Sequence, residues 1–213
     1  MMLSPRKTEE EEGKEDLTNN QLDFSQPWHF SDVVLKVEEE RFHVHRSILS
    51  MWSPTFSKMF TSGFREKTAE EVPLPGKIAS QIREMLLAIY PTSAKEIDDE
   101  NYSFLLDLAR EYMIEKLTEK CEDFLIHKLR WPRQQHSSQC LDLLVTAQSY
   151  NLERLQEECI KNAGNLSRQE LNSHSKRHEI LLPNYRKLVD GIMERMENKL
   201  MELQRHSSGF GLY

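Results

Sequence analysis

FHVHRSILSMWSPTFSKMF, Phe42 to Phe60, is where the chain changes its period. Phe42 and Val44 alternate with His43 and His45, the pattern of a strand with one apolar face. From Ile48 onward the apolar side chains Ile48, Leu49 and Trp52 return at the spacing of a helix face. Ser53-Pro54 must end that helix, because proline cannot continue it and restricts the residue before it. The same pair opens the next helix. Ser53 is placed to cap it, Pro54 takes its first position, and Phe56, Met59 and Phe60 share a face up to Gly63.

Working outward, DVVLKVEEERFHVHR puts Val33, Leu35 and Val37 on one face ahead of a charged turn, so a hairpin is expected with the Phe42 and Val44 strand. EVPLP, with Val72 and Leu74 between prolines, reads as a short edge strand, since proline cannot donate to a ladder. Ile78, Ile82, Met85, Leu86 and Ile89 make one stripe of a helix that ends at Tyr90-Pro91.

A repeat follows. Ala109, Tyr112, Ile114, Leu117 and Cys121 recur at a constant offset as Ala147, Tyr150, Leu152, Leu155 and Cys159, preceded by Leu105-Leu106 and by Leu143-Leu144. Each copy reads as a helical hairpin, and two copies would stack side by side. Residues 183–205 read as an amphipathic helix with Tyr185, Leu188, Val189, Ile192, Met196, Leu200 and Leu203 on one side. Packing on the preceding repeat and pairing as a coiled coil are both open for it, with Lys199 interrupting the second pattern.

Composition bounds the function. The chain has 213 residues, 38% of them apolar and 30% charged. That is enough for one ordinary domain with an appendage, or for two small ones. A net charge of -7 argues against attraction to nucleic acid, whose phosphates need clustered Lys and Arg. The short basic stretch HKLRWPR at 127–133 is too small to reverse that. No apolar run approaches the roughly 20 residues of a spanning helix, and the opening residues have no secretory or transit pattern. A cytoplasmic or nuclear protein is expected. Residues 1–21, with the acidic run Glu9 to Glu12, read as a flexible tail. Cys121, Cys140 and Cys159 are far apart and sit in helical patterns, so they read as buried thiols rather than a disulfide framework.

Catalysis has no sequence support. His43 and His45 alternate on a strand without Cys or carboxylates at ligand spacing, and neither a Gly-rich phosphate loop nor a nucleophile elbow is present. Asp98-Asp99-Glu100 lacks the spaced oxygens and the glycine of a calcium loop and reads as the approach to a helix N-terminus. No cofactor and no metal are expected.

FSDVVLKV, FHVHRSILSMWSPTFSKMF, VPLP and MLLAIY together resemble the BTB/POZ domain over residues 28 to 129. The points of likeness are Asp32, Phe42, His45 with Leu49, Ser53-Pro54 with Phe56, Met59-Phe60, and Leu86 with Tyr90. The repeat up to Leu171 is similar to the 3-box extension that follows this domain in many ubiquitin-ligase adaptors. The fold class implied is α+β, mostly α: a small β-sheet flanked by a cluster of helices, a helical-hairpin extension and a C-terminal amphipathic helix. The divisions expected are 1–21 (tail), 22–130 (BTB/POZ domain), 131–171 (3-box-like extension) and 172–213 (C-terminal helix and tail). Tyr90 is followed by Pro-Thr-Ser where the family usually has Thr-Gly, so that turn is expected to be rebuilt. No MATH domain, kelch repeat or zinc finger is recognisable.

The resemblance implies a homodimer in which the helix around Ile48, Met51 and Trp52 and the segment ahead of the first strand meet their symmetry mates. Met51 and Trp52 widen the apolar face of a two-turn helix beyond what one side needs, which suits a self-complementary patch, although Trp52 can also be ordinary core. The resemblance further implies docking of the cullin-3 N-terminal domain by a hydrophobic-x-Glu signature after the Met-Phe helix. Phe64-Arg65-Glu66 matches it, with Phe60 and Tyr112 as expected neighbours. Phe64 folding back onto its own helix, and Phe60 and Tyr112 serving as core, are the alternatives. Asp32 and Arg46 match a charged pocket at the dimer groove of related proteins, or else form a surface pair of little energetic weight. The function expected is a dimeric adaptor that brings a cullin-3 RING ubiquitin ligase to an unknown substrate. The alternative is a dimerisation scaffold, transcriptional or cytoskeletal, without a ligase role.

Overall fold

The computed structural model describes residues 22–61, 68–91, 93, 95–130, 139–164 and 166–208. The expected acidic tail, Phe64 and Glu66, residues 131–133 of the basic stretch and residues 209–213 lie outside them.

β1 (Val33–Val37) and β2 (Glu40–Val44) form the expected antiparallel hairpin, with Val33 opposite Val44 and Leu35 opposite Phe42. Val33, Leu35, Val37, Phe42 and Val44 are all buried, as the period-two pattern requires. Glu38 takes the left-handed φ of 53° that closes this short turn without Asn-Gly. β3 (Glu71–Pro73) lies along the other side of β1, parallel to it, giving the order β2-β1-β3. Pro73 is therefore on an edge, where its missing N–H costs nothing in the ladder.

α1 (Arg46–Trp52) and α2 (Pro54–Thr61) meet at Ser53. Its hydroxyl accepts the backbone N–H of Phe56 at 3.0 Å and donates to the carbonyl of Tyr112 at 2.5 Å, all without solvent contact at Ser53. One side chain thus caps α2 and ties it to the end of α4 (Tyr102–Tyr112). α3 (Ala79–Ile89) is buried at Ile82, Met85, Leu86, Leu87, Ala88 and Ile89, a wider face than the expected stripe. Ile78 corrects the sequence reading: it is extended, precedes the helix as its N-cap and is 50% exposed. The Asp98 carboxylate accepts the N–H groups of Glu100 and Asn101, so the acidic trio is a turn leading into α4.

The repeat is structural. α4 and α5 (Glu115–Arg130) form one hairpin, α6 (Gln139–Ser149) and α7 (Glu153–Ala163) the other. Met113 and Asn151, at equivalent positions, take left-handed φ values of 55° and 56°. In both copies the next N–H bonds back to the repeat alanine, Ile114 to Ala109 and Leu152 to Ala147, each at 2.8 Å. This is a Schellman closure built twice without glycine. The repeat residues Leu117, Cys121, Leu155 and Cys159 are solvent-free where the hairpins pack. Glu122 on α5, almost completely buried, accepts the N–H of Leu155 at 3.0 Å and supplies α7 with the cap that Leu152 cannot.

α8 (Arg168–Ser173) carries a capping box from Ser167 and Glu170 and is followed by a short 3-10 turn, Ser175–Glu179. α9 (Leu182–Ser208) exceeds the expected 183–205 slightly. It packs on the repeat through Leu188 and Ile192, which are buried, with Tyr185 and Val189 partly so. Met196, Leu200 and Leu203, expected on the same side of the helix, are exposed.

Candidate interaction surface

The surface around α1 begins with a constrained turn ahead of β1. His29 and Phe30 take φ values of 36° and 66° in succession, a conformation that costs roughly 1–2 kcal/mol per L-residue. Neighbouring bonds hold it. Ser31 N–H donates to the Trp28 carbonyl at 2.7 Å, and the Trp28 indole donates to the His43 carbonyl at 3.0 Å. His45 Nε2 lies 2.7 Å from the His29 carbonyl and must donate there. In the neutral ring Nδ1 is then the acceptor for the Tyr90 hydroxyl at 3.2 Å, while the same hydroxyl accepts the backbone N–H of His45 at 2.9 Å. Burial pushes the Tyr90 phenol above its usual range, with the Asp32 charge adding to the rise, so it keeps the proton it donates.

The result of this turn is that Phe30 stands 97% exposed. On α1, Met51 is 73% exposed while Ile48 and Trp52 are half-buried against the core. Trp52 also has an intrachain role, since the Lys116 and Lys120 ammonium groups sit 5.8 and 5.2 Å from its ring. Phe30 was not singled out by period or motif. A lone phenylalanine between His29 and Ser31, off the alternation that starts at Val33, was the available signal.

Asp32 and Arg46 are brought together through the backbone. The Asp32 carboxylate accepts the N–H of Arg46 at 2.8 Å, capping α1, whose N-cap His45 makes no side-chain cap of its own. The Arg46 guanidinium lies 4.8 Å from the centre of the Phe60 ring and donates to the Ala69 carbonyl at 2.5 Å. The pair thus anchors α1 and α2 to the approach to β3.

Phe60 and Tyr112 are less than a tenth exposed. Phe56 stacks on Tyr112 with centroids 4.6 Å apart and on Phe60 at 5.9 Å, so both rings form a wall of the core where α2 meets α4. Burial raises the Tyr112 phenol, and the Glu111 charge raises it further. Phe64 and Glu66 fall between Thr61, where α2 ends beside Phe60, and the resumption at Thr68, outside the described residues.

The three cysteines are buried free thiols. Desolvation pushes Cys121 up to about 12 and Cys140 to about 11, the opposite of a reactive thiolate. Among the described residues, no group of three His, Cys, Asp or Glu side chains could hold a metal ion, and no helix is long and apolar enough to cross a membrane.

Comparison with known proteins adds the following. The BTB/POZ domain model matches residues 22–129. BTB and MATH domain-containing protein 36 of Caenorhabditis elegans is 34% identical over 181 residues, 84% of this chain and 52% of the relative. Kelch repeat and BTB domain-containing protein 8 of Xenopus tropicalis is 30% identical over 129 residues, 60% of this chain and 20% of the relative. The chain therefore spans about half the length of the first and a fifth of the second. A solved structure of the BTB domain of human gigaxonin aligns with a TM-score of 0.38 and 21% identity, covering 45% of this chain and 77% of that one.

Proposed function

Because the chain belongs to the BTB/POZ domain family and is a protein–protein interaction module rather than an enzyme, we propose that it is a homodimeric adaptor for a cullin-3 RING ubiquitin ligase. Residues 22–130 act as the dimerising and docking unit in this reading, and residues 131–171 as the 3-box-like extension. The observation that carries the dimer is the exposure of two large apolar side chains, Phe30, held out by a strained turn, and Met51 on α1. Large apolar side chains exposed by a rigid frame are stabilised by burial against a self-complementary copy, with each such burial contributing on the order of 1.5–3 kcal/mol.

Docking of cullin-3 rests on Phe64-Arg65-Glu66 following α2. Phe60 and Tyr112, locked in the stack with Phe56, serve as core behind the end of α2 in this reading rather than as contact atoms. Phe64 is the aromatic anchor, and Glu66 supplies a charge-assisted hydrogen bond that fixes its approach. The affinity expected is micromolar to submicromolar, on the order of -8 kcal/mol. Calorimetric titration with the cullin-3 N-terminal domain tests this. Phe64→Ala together with Glu66→Ala weakens binding by about tenfold or more, near 1.4 kcal/mol. Unchanged affinity in that double variant overturns the docking assignment, and an absence of binding by the unsubstituted protein leaves the dimerisation scaffold without ligase role as the function.

A further inference from the structure

The fold uses only part of α9. The helix has 27 residues, which at 1.5 Å per residue is about 40 Å. Its buried side chains stop at Ile192, and beyond them Met193, Met196, Leu200 and Leu203 are between 54 and 69% exposed. Their spacing of three, four and three residues sets them on one straight seam.

Where the seam begins, it is one wall of a cleft of about 910 Å³ between α8 and α9. Leu171 on α8 and Val189, Met193 and Met196 on α9 make its apolar surface, and the charged residues lining it are Arg168 and Arg177. Among the described residues, no carboxylate lines it. Arg177 donates to the Tyr185 hydroxyl at 3.2 Å and lies over that ring, a neutral partner that leaves its charge uncompensated. Arg168 has neither a hydrogen bond nor an ion pair among the described residues.

We propose that this cleft and the seam continuous with it bind an amphipathic helix of a partner protein. The partner's apolar face lies along the seam, and a carboxylate-bearing flank meets Arg168 and Arg177. Two methionines on the floor suit a surface that adapts to different side chains. The seam is long enough for several turns of helix, the geometry of groove recognition through anchors at i, i+3 or i+4, and i+7. A second copy of this chain fits less well, because its own seam has Glu197 on one flank and Lys199 on the opposite one, so any acidic edge it offers comes with a basic one. An anionic membrane fits less well too, because Glu194, Glu197 and Glu202 lie along the same half-helix. The inference rests on residues 166–208 and is independent of the cullin-3 reading.

The test uses the full chain and two fluorescein-labelled synthetic helices of about 20 residues, with leucines at groove spacing. One has glutamate flanks and the other lysine flanks. Anisotropy titration is expected to show the glutamate helix binding about tenfold tighter, with Arg168→Glu plus Arg177→Glu reversing the preference. Met196→Glu plus Leu200→Glu, both at exposed positions, removes binding of either peptide while the unfolding midpoint is retained. Equal binding, no binding, or a preference that the charge reversal does not change overturns the proposal. Concentration-dependent growth in mass that Met196→Glu plus Leu200→Glu abolishes, without peptide binding, assigns the seam to a second copy. Cosedimentation with anionic phosphatidylserine vesicles in place of peptide binding assigns it to a membrane.

Discussion

Removing the Ser53 hydroxyl cuts two elements loose at once. In Ser53→Ala, α2 loses the cap on its Phe56 N–H, and the Tyr112 carbonyl at the end of α4 loses its 2.5 Å donor. Loss of a cap costs about 1 kcal/mol. Leaving a buried carbonyl unpaired costs about 1–3 kcal/mol more, because Ser53 and Tyr112 are closed to water that could replace the hydroxyl. The expected total is about 2–4 kcal/mol, which at a urea slope of about 2–3 kcal/mol/M lowers the unfolding midpoint by about 1 M. The measurement is urea unfolding at one fixed protein concentration, since self-association adds to apparent stability by mass action. Thr61→Ala is the control. Its hydroxyl bonds the Ser57 carbonyl from an exposed position on the same helix, so its removal stays within about 0.5 kcal/mol. A midpoint shift in Ser53→Ala no larger than that of the control, at unchanged slope, would refute the bridging role given to Ser53.

Met113→Gly is expected to stabilise the protein by about 0.5–1 kcal/mol, because the left-handed closure of α4 penalises a side chain that is itself about half exposed. Asn151→Gly gains less, since asparagine tolerates that conformation, and a destabilised Met113→Gly in thermal unfolding contradicts the closure argument. The thiols give a pH signature: with Cys140 raised to about 11 and Cys121 to about 12, the unfolded chain releases their protons first. Stability is therefore undiminished by these groups below about pH 9 and falls as pH rises toward 11. A chromogenic thiol reagent at pH 8 should label the native protein negligibly and the unfolded chain at all three cysteines.

Much of the fold was legible because periodicity reports burial. The alternation at Val33, Leu35 and Val37, the Ser53-Pro54 punctuation and the paired Ala109 and Ala147 repeats each have one economical three-dimensional solution. Three features were not legible, for distinct physical reasons. The closures at Met113 and Asn151 lack the glycine that marks a left-handed residue. Glu122 is a charged residue in a helical run, and only the tertiary structure shows it capping a different helix. The stripe from Tyr185 to Leu203 has one period throughout, yet packing ends at Ile192, because a periodic face specifies that something covers it without specifying what. Of the site, the α1 face was legible at Met51 and absent at Phe30, whose exposure depends on the turn held by Trp28 and His45. Phe60 and Tyr112, expected as neighbours of the docking residues with core packing as the alternative, are core aromatics whose surfaces are spent on Phe56.

The central claim is a dimer in which each copy docks one cullin-3 N-terminal domain, and sedimentation equilibrium of the two proteins mixed tests both halves together. The chain of 25.2 kDa alone should behave as a species of twice that mass. With cullin-3 in excess, the mass should rise by two copies of the added domain. A protomer-sized species in the absence of cullin-3, or a dimer whose mass the added domain leaves unchanged, would contradict the account.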